Sequence, residues 1–327
     1  MTGVRQAPDR DEVVRGTGEL SAGPARKRGC VRDALAAVAW SLAALSTIAV
    51  YILVSFGTEY LVVDVCAIFG IEPADIDINW LQAAMQLAMF AVALAWWRYL
   101  YARSFGCRWR GSRTFDPTLA AVAKRIALVV VLGMALQVVV GIACDFVLSF
   151  FPKVASDYEA LMEEADMGST ALLPVLTTVI GAPFSEELLL RGVVMEFALR
   201  AFNPQCRPLW RRRRVRPEDG AIVRRADADR LGLIAGVVLQ ALVFGILHMN
   251  IVQGCYAFAV ALVFGWLFWA TGSLRYTILL HFAFNAGSYL MGLLWFINTP
   301  ADALVTFAVA LAVMFWAMGE IRAATRP

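Results

Sequence analysis

Long apolar runs alternate with short polar interruptions along the whole chain. The runs fall at about residues 34–56, 80–97, 119–149, 171–199, 231–249, 252–270, 276–297 and 301–319. A helix needs about 20 apolar residues to cross the hydrocarbon layer of a bilayer. Inside that layer a segment must also satisfy its own backbone N–H and C=O groups. The pattern predicts an all-α fold, a polytopic transmembrane helix bundle of about eight spans. The third and fourth runs exceed a simple span, so tilt, a break or an interfacial extension is expected there. Pro174 and the Gly181-Ala182-Pro183 step mark the place for a break in the fourth.

The charges between the runs give an orientation. Arg98, Arg103, Arg108, Arg110 and Arg113 follow the second run, and a denser group from Arg200 through Arg211 and Arg214 to Arg230 follows the fourth. Arg275 separates the sixth and seventh runs, and Arg322 and Arg326 follow the eighth. The intervening loops carry acids instead: Glu59, Asp64, Glu72, Asp75 and Asp77 in one, Asp157, Glu159, Glu163, Glu164 and Asp166 in another. Arginine-rich segments stay on the cytoplasmic side. Both termini are therefore expected to be cytoplasmic, with the chain integral to the plasma membrane. Residues 1–32 read as a flexible basic cytoplasmic tail; the first run is too long for the ~7–15-residue apolar core of a signal peptide. The remainder divides into N-terminal transmembrane helices (33–170), a core (171–297) and a last helix with a short tail (298–327).

The composition agrees. Of 327 residues 60% are hydrophobic and 17% charged, with a mean hydropathy of +0.66, which excludes an ordinary soluble domain. Six cysteines stand singly, none at CxxC spacing, so neither a thiolate metal site nor a disulfide framework is indicated. The run WRRRRVR at 210–216 has few aromatic residues for base stacking. It reads as a topology determinant contacting anionic lipid head groups, not as a nucleic-acid site.

Polar side chains inside the apolar runs carry the chemistry. A charge near the bilayer centre costs at least ~2.5–3.5 kcal/mol, yet the fourth run contains PFSEELLLRGVV at 183–194. Glu187 and Arg191 stand four residues apart and can pair across one helical turn. Glu186, rotated ~100° from Glu187, is left to find water or a partner from another helix. The only two histidines, His248 and His281, also lie in apolar runs, and Asn285 is one turn beyond His281 on the same face. Three helices thus each present a polar group, which predicts one shared, hydrated cavity. Counting ~1.5 Å per residue from the nearest arginine puts Glu186 about 21 Å deep and His248 about 27 Å. His281 and Asn285 come out at only about 9 and 15 Å, a mismatch removed if the ATGSLRY connection at 270–276 dips into the protein. A carboxylate and an imidazole can activate a water, and a second imidazole with an amide can stabilise an oxyanion. Ser185 has no base beside it and reads as a packing residue.

Three motifs in order resemble those of one family. EELLLR at 186–191 is similar to the EExxxR motif of the CAAX proteases and bacteriocin-processing enzymes (CPBP, or Abi, family), FGILH at 244–248 to its FxxxH motif, and HFAFN at 281–285 to its HxxxN motif. The resemblance covers about residues 171–297 and implies an intramembrane endopeptidase related to the type II CAAX prenyl endopeptidases. By motif position it implies that Glu186 and His248 activate the water and that His281 and Asn285 hold the oxyanion. Glu187 and Arg191 would hold the site together. The expected substrate is a peptide or lipidated protein, with membrane lipids as the surroundings and no nucleic acid. No cofactor is expected on the favoured mechanism; zinc on the two histidines and a carboxylate is the alternative, although catalytic zinc normally takes three firm protein ligands. The rival functions are a non-catalytic scaffold regulating a partner, and a proton-coupled transporter with Asp145 and Glu196 as further relays.

Overall fold

The computed structural model describes residues 30–102, 118–166, 169–203, 230–291, 294 and 296–324. The basic tail before Cys30, the arginines at 103–113 and the arginine-rich stretch 204–229 lie outside the described residues. Nine helices, in chain order, make up almost all of what is described: α1 (Cys30–Ile68), α2 (Ile78–Ala102), α3 (Leu119–Leu148), α4 (Pro152–Glu164), α5 (Leu172–Phe202), α6 (Arg230–Leu247), α7 (Ile251–Thr271), α8 (Leu274–Leu290) and α9 (Pro300–Ala324). Seven of them are long and apolar enough to cross a membrane. With α8, which at 17 residues falls a little short of a full crossing, they account for the eight runs.

Two elements depart from expectation. α1 runs on through Glu59 and Asp64 to Ile68, 39 residues in all, because scattered acids do not stop a helix that has neither proline nor glycine pairs to break it. The acidic stretch after α3 is not a loop but the amphipathic α4. Pro152 sits at its first turn, where a missing N–H is harmless. Its half-buried Ala155, Tyr158 and Met162 recur at helical spacing, with Asp157, Glu159, Glu163 and Glu164 facing outward. α4 is held at its C-terminal end. Asn79 Nδ2 donates to Asp166 at 2.9 Å, Gln82 Nε2 to the Ala165 carbonyl at 2.9 Å, and Gln253 Nε2 approaches the Met162 sulfur at 3.3 Å. Burial pushes the Tyr158 phenol above its ordinary pKa.

α5 is continuous. In place of a break it contains two π-helical stretches, Thr177–Gly181 and Leu188–Val194, flanking the α-helical Ala182–Glu187. A π-turn accommodates the extra residue and the lost N–H of Pro183 without parting the helix.

The apolar packing forms two clusters. One joins α1, α2, α5, α6 and α7 through Met89, Leu189, Leu190, Phe197 and Phe244. The other joins α3, α7, α8 and α9 through Leu132, Phe264, Leu280 and Met314. α8 lies against α3 so closely that a Cβ on Gly133 would stand 2.8 Å from the Leu280 carbonyl and 2.7 Å from the Ala283 Cβ. The α7–α8 connection turns through Gly272 at φ 66°, a left-handed cap that favours glycine. Thr271 and Thr277 on either side are buried, and the Tyr276 hydroxyl accepts from Arg125 Nε at 2.9 Å. The connection between the two threonines is half-buried with Arg275 exposed, and His281 stands level with the two acids of α5, 2.9 Å from Glu187 and 3.8 Å from Glu186.

Candidate active site

Between the two clusters Glu187 is wholly buried and bonded twice. Its Oε1 accepts from Arg191 Nη1 at 2.9 Å and faces His281 Nδ1 at 2.9 Å. As the acid of an ion pair with Arg191 it only accepts, so the contact with His281 is made by a proton on Nδ1. Arg191 Nε and Nη2 have no hydrogen-bond partner among the described residues. The guanidinium lies instead over two rings, 4.9 Å from the centroid of Phe264 and 5.4 Å from that of Phe244. Those rings belong to different clusters, so one cation on aromatic faces ties the two halves of the bundle together.

Glu186, one residue earlier, turns the other way. Its side chain keeps 23% exposure, and its Oε2 stands 3.8 Å from His281 Nε2. His248 follows the last turn of α6, with Nδ1 2.9 Å from the Phe244 carbonyl. A carbonyl only accepts, so Nδ1 holds the proton and Nε2 is left with a free lone pair. The Phe244 ring meets the imidazole edge-on at 4.7 Å. Asn285 donates from Nδ2 to the Thr178 carbonyl at 2.8 Å.

Glu186, His248, His281 and Asn285 all line one cavity of about 370 Å³. Glu187 and Arg191 stand behind it. Ser185 is buried and returns its hydroxyl to the Gly181 and Ala182 carbonyls, both at 3.1 Å. Of the other acids, Glu196 pairs with Arg200 and Asp145 is exposed near the end of α3; neither reaches the cavity. The wall also takes polar residues absent from the three motifs: Tyr51 and Ser55 from α1, Gln82 and Gln86 from α2, and Gln253 and Tyr256 from α7. Single polar residues in apolar helices were the signal available in the sequence, but nothing in their spacing pointed to this cavity.

Each imidazole has one nitrogen on an oxygen, an arrangement that metal-bound histidines share, and among the described residues no three His, Cys, Asp or Glu side chains form a group that could hold a metal ion.

Residues 168–287, which hold Glu186, Glu187, Arg191, His248, His281 and Asn285, match the family described as Type II CAAX prenyl endopeptidase Rce1-like. This segment is an Rce1-like protease domain. No curated protein and no solved structure matches the chain. The Rce1-like domain begins just before α5 and ends within α8, so α1 and α2, which close the cavity with Tyr51 and Gln86, lie before it in the chain.

Proposed function

We propose that the chain is an intramembrane endopeptidase that hydrolyses a peptide bond of a membrane-associated or lipidated substrate with an activated water and without a bound metal. Glu186 and His248 Nε2 share that water and take its proton as it attacks the carbonyl. Asn285, through the Nδ2 proton not given to Thr178, and a protonated His281, through Nε2–H, donate to the oxyanion that forms. Glu187 and Arg191 touch no substrate; they hold His281 in register. The observation that carries this proposal is the convergence of the four side chains, from α5, α8 and the end of α6, on one cavity.

The name of the family makes a prenylated protein the first substrate to try, beside unmodified peptides of the same sequence. The proposed setting is the plasma membrane, with lipid around the bundle, and the arginine distribution supports placing both termini in the cytoplasm.

The test is a peptidase assay on the protein reconstituted in liposomes. Wild type is expected to cleave, and Glu186→Gln and His248→Ala to lose at least ~100-fold in rate while still folding. A chelator should change nothing. Loss of activity on chelation with recovery on adding zinc would overturn the metal-free mechanism. Absence of cleavage by wild type across prenylated and plain peptides, with a cellular phenotype still rescued by the variants, would favour a scaffold.

A further inference from the structure

We propose that Pro183, acting through the backbone carbonyl of Thr178, is a positioning residue for Asn285. The first π-helical stretch of α5 makes this possible. In that register a carbonyl pairs with the N–H five residues on, and Ala182 N–H is given to the Thr177 carbonyl. The next pair would join the Thr178 carbonyl to residue 183. That residue is proline and has no N–H. In the ordinary α register the donor would be Ala182, which Thr177 has already taken. Thr178, half-buried, is thus left with an open acceptor at the cavity wall, free to take a donor from another helix.

Asn285 fills it. Its Nδ2 donates to the Thr178 carbonyl at 2.8 Å, and both residues line the cavity. Only the NH2 end of the amide can face a carbonyl, so the bond settles which way the side chain is turned. The amide is planar, so fixing one N–H also fixes the direction of the second. A donor held in place before the reaction is what oxyanion stabilisation requires. The proline in PFSEE therefore does more than shape its helix: it removes a backbone donor so that a side chain from α8 can be held by α5.

The catalytic part of this proposal rests on Asn285 serving as an oxyanion donor; the positioning part does not. Pro183→Ala restores an N–H that competes for Thr178, and it places a better helix former in α5, so the variant is expected to fold. In the liposome assay Pro183→Ala should lower kcat about tenfold, the effect of a loosened hydrogen bond in the transition state, with KM nearly unchanged. Asn285→Ala should lower kcat by ~10²–10³, and the double variant should be no slower than Asn285→Ala alone. A melting experiment needs no substrate. Asn285→Ala should lower Tm by about 2–4 °C in the wild-type background and by much less in the Pro183→Ala background. Equal Tm losses in the two backgrounds, or kcat losses that multiply in the double variant, would overturn the proposal. If wild type cleaves nothing, the endopeptidase function fails, and the melting comparison still decides whether Pro183 positions Asn285.

Discussion

At the scale of single residues, the site is organised by two neighbouring carboxylates in opposite surroundings. Glu187 is sealed in with Arg191 and His281; Glu186 faces the cavity. Removing one partner of a buried ion pair strands the other, at a cost of about 3–5 kcal/mol. Arg191→Ala is accordingly expected to melt far below wild type in detergent, whereas Glu186→Gln should melt close to it. The paired replacement Glu187→Gln with Arg191→Met should recover part of the loss, because no uncompensated charge remains. Much of this division was legible in the sequence. The ~100° turn between adjacent helical residues separates the two acids, and the four-residue spacing couples Glu187 to Arg191. The bond from His281 to Glu187 could not be read, because it joins residues 94 positions apart and no local spacing reports such a contact.

At the scale of elements, the helices matter for how closely they bring their side chains together. α8 carries both His281 and Asn285, and its level in the bundle is set by the contact of α3 at Gly133 with the Leu280–Phe284 turn. Gly133→Ala puts a methyl group where backbone and Cβ atoms already stand at 2.7–3.0 Å. Overpacking of this kind costs about 1–3 kcal/mol. The variant should melt lower and cleave more slowly although residue 133 does not line the cavity; unchanged cleavage would mean that α8 shifts without disturbing its two side chains. Each of the eight apolar runs met a helix, six of them to within a few residues at both ends, with α1 longer and α8 shorter than expected. The runs failed at α4, whose charges marked it as outside the membrane while its narrow apolar stripe was hidden among them. They also gave no sign of the π-turns, because a proline in an apolar helix is compatible with a kink, a break or a π-turn alike, and packing against α2 and α8 selects among these.

At the scale of the molecule, the arrangement has a direction. α1 at 39 residues is about 58 Å long, nearly twice the ~30 Å hydrocarbon thickness, so one end must stand clear of the bilayer. On the proposed orientation, with both termini cytoplasmic, Cys66 near the far end of α1 would lie on the outside. In a variant whose other cysteines are replaced, a membrane-impermeant maleimide added to intact cells is expected to label Cys66. Labelling only after the cells are opened would reverse the orientation. The same layout makes the Rce1-like domain dependent on what precedes it, since Tyr51 and Gln86 close the cavity from α1 and α2. A fragment starting at residue 168 is expected to lack peptidase activity even if it inserts.

The size of the cavity sets a condition on what can be cut. A helix with its side chains is about 10–12 Å across, too wide to settle among Glu186, His248 and Asn285 in a space of about 370 Å³. In such a helix every carbonyl is also already tied to an N–H four residues on. A segment arriving from the bilayer therefore has to uncoil before water can reach it, and the ease of uncoiling should set the rate. Matched peptides with glycine or proline beside the scissile bond should be cleaved faster than those with leucine or alanine there.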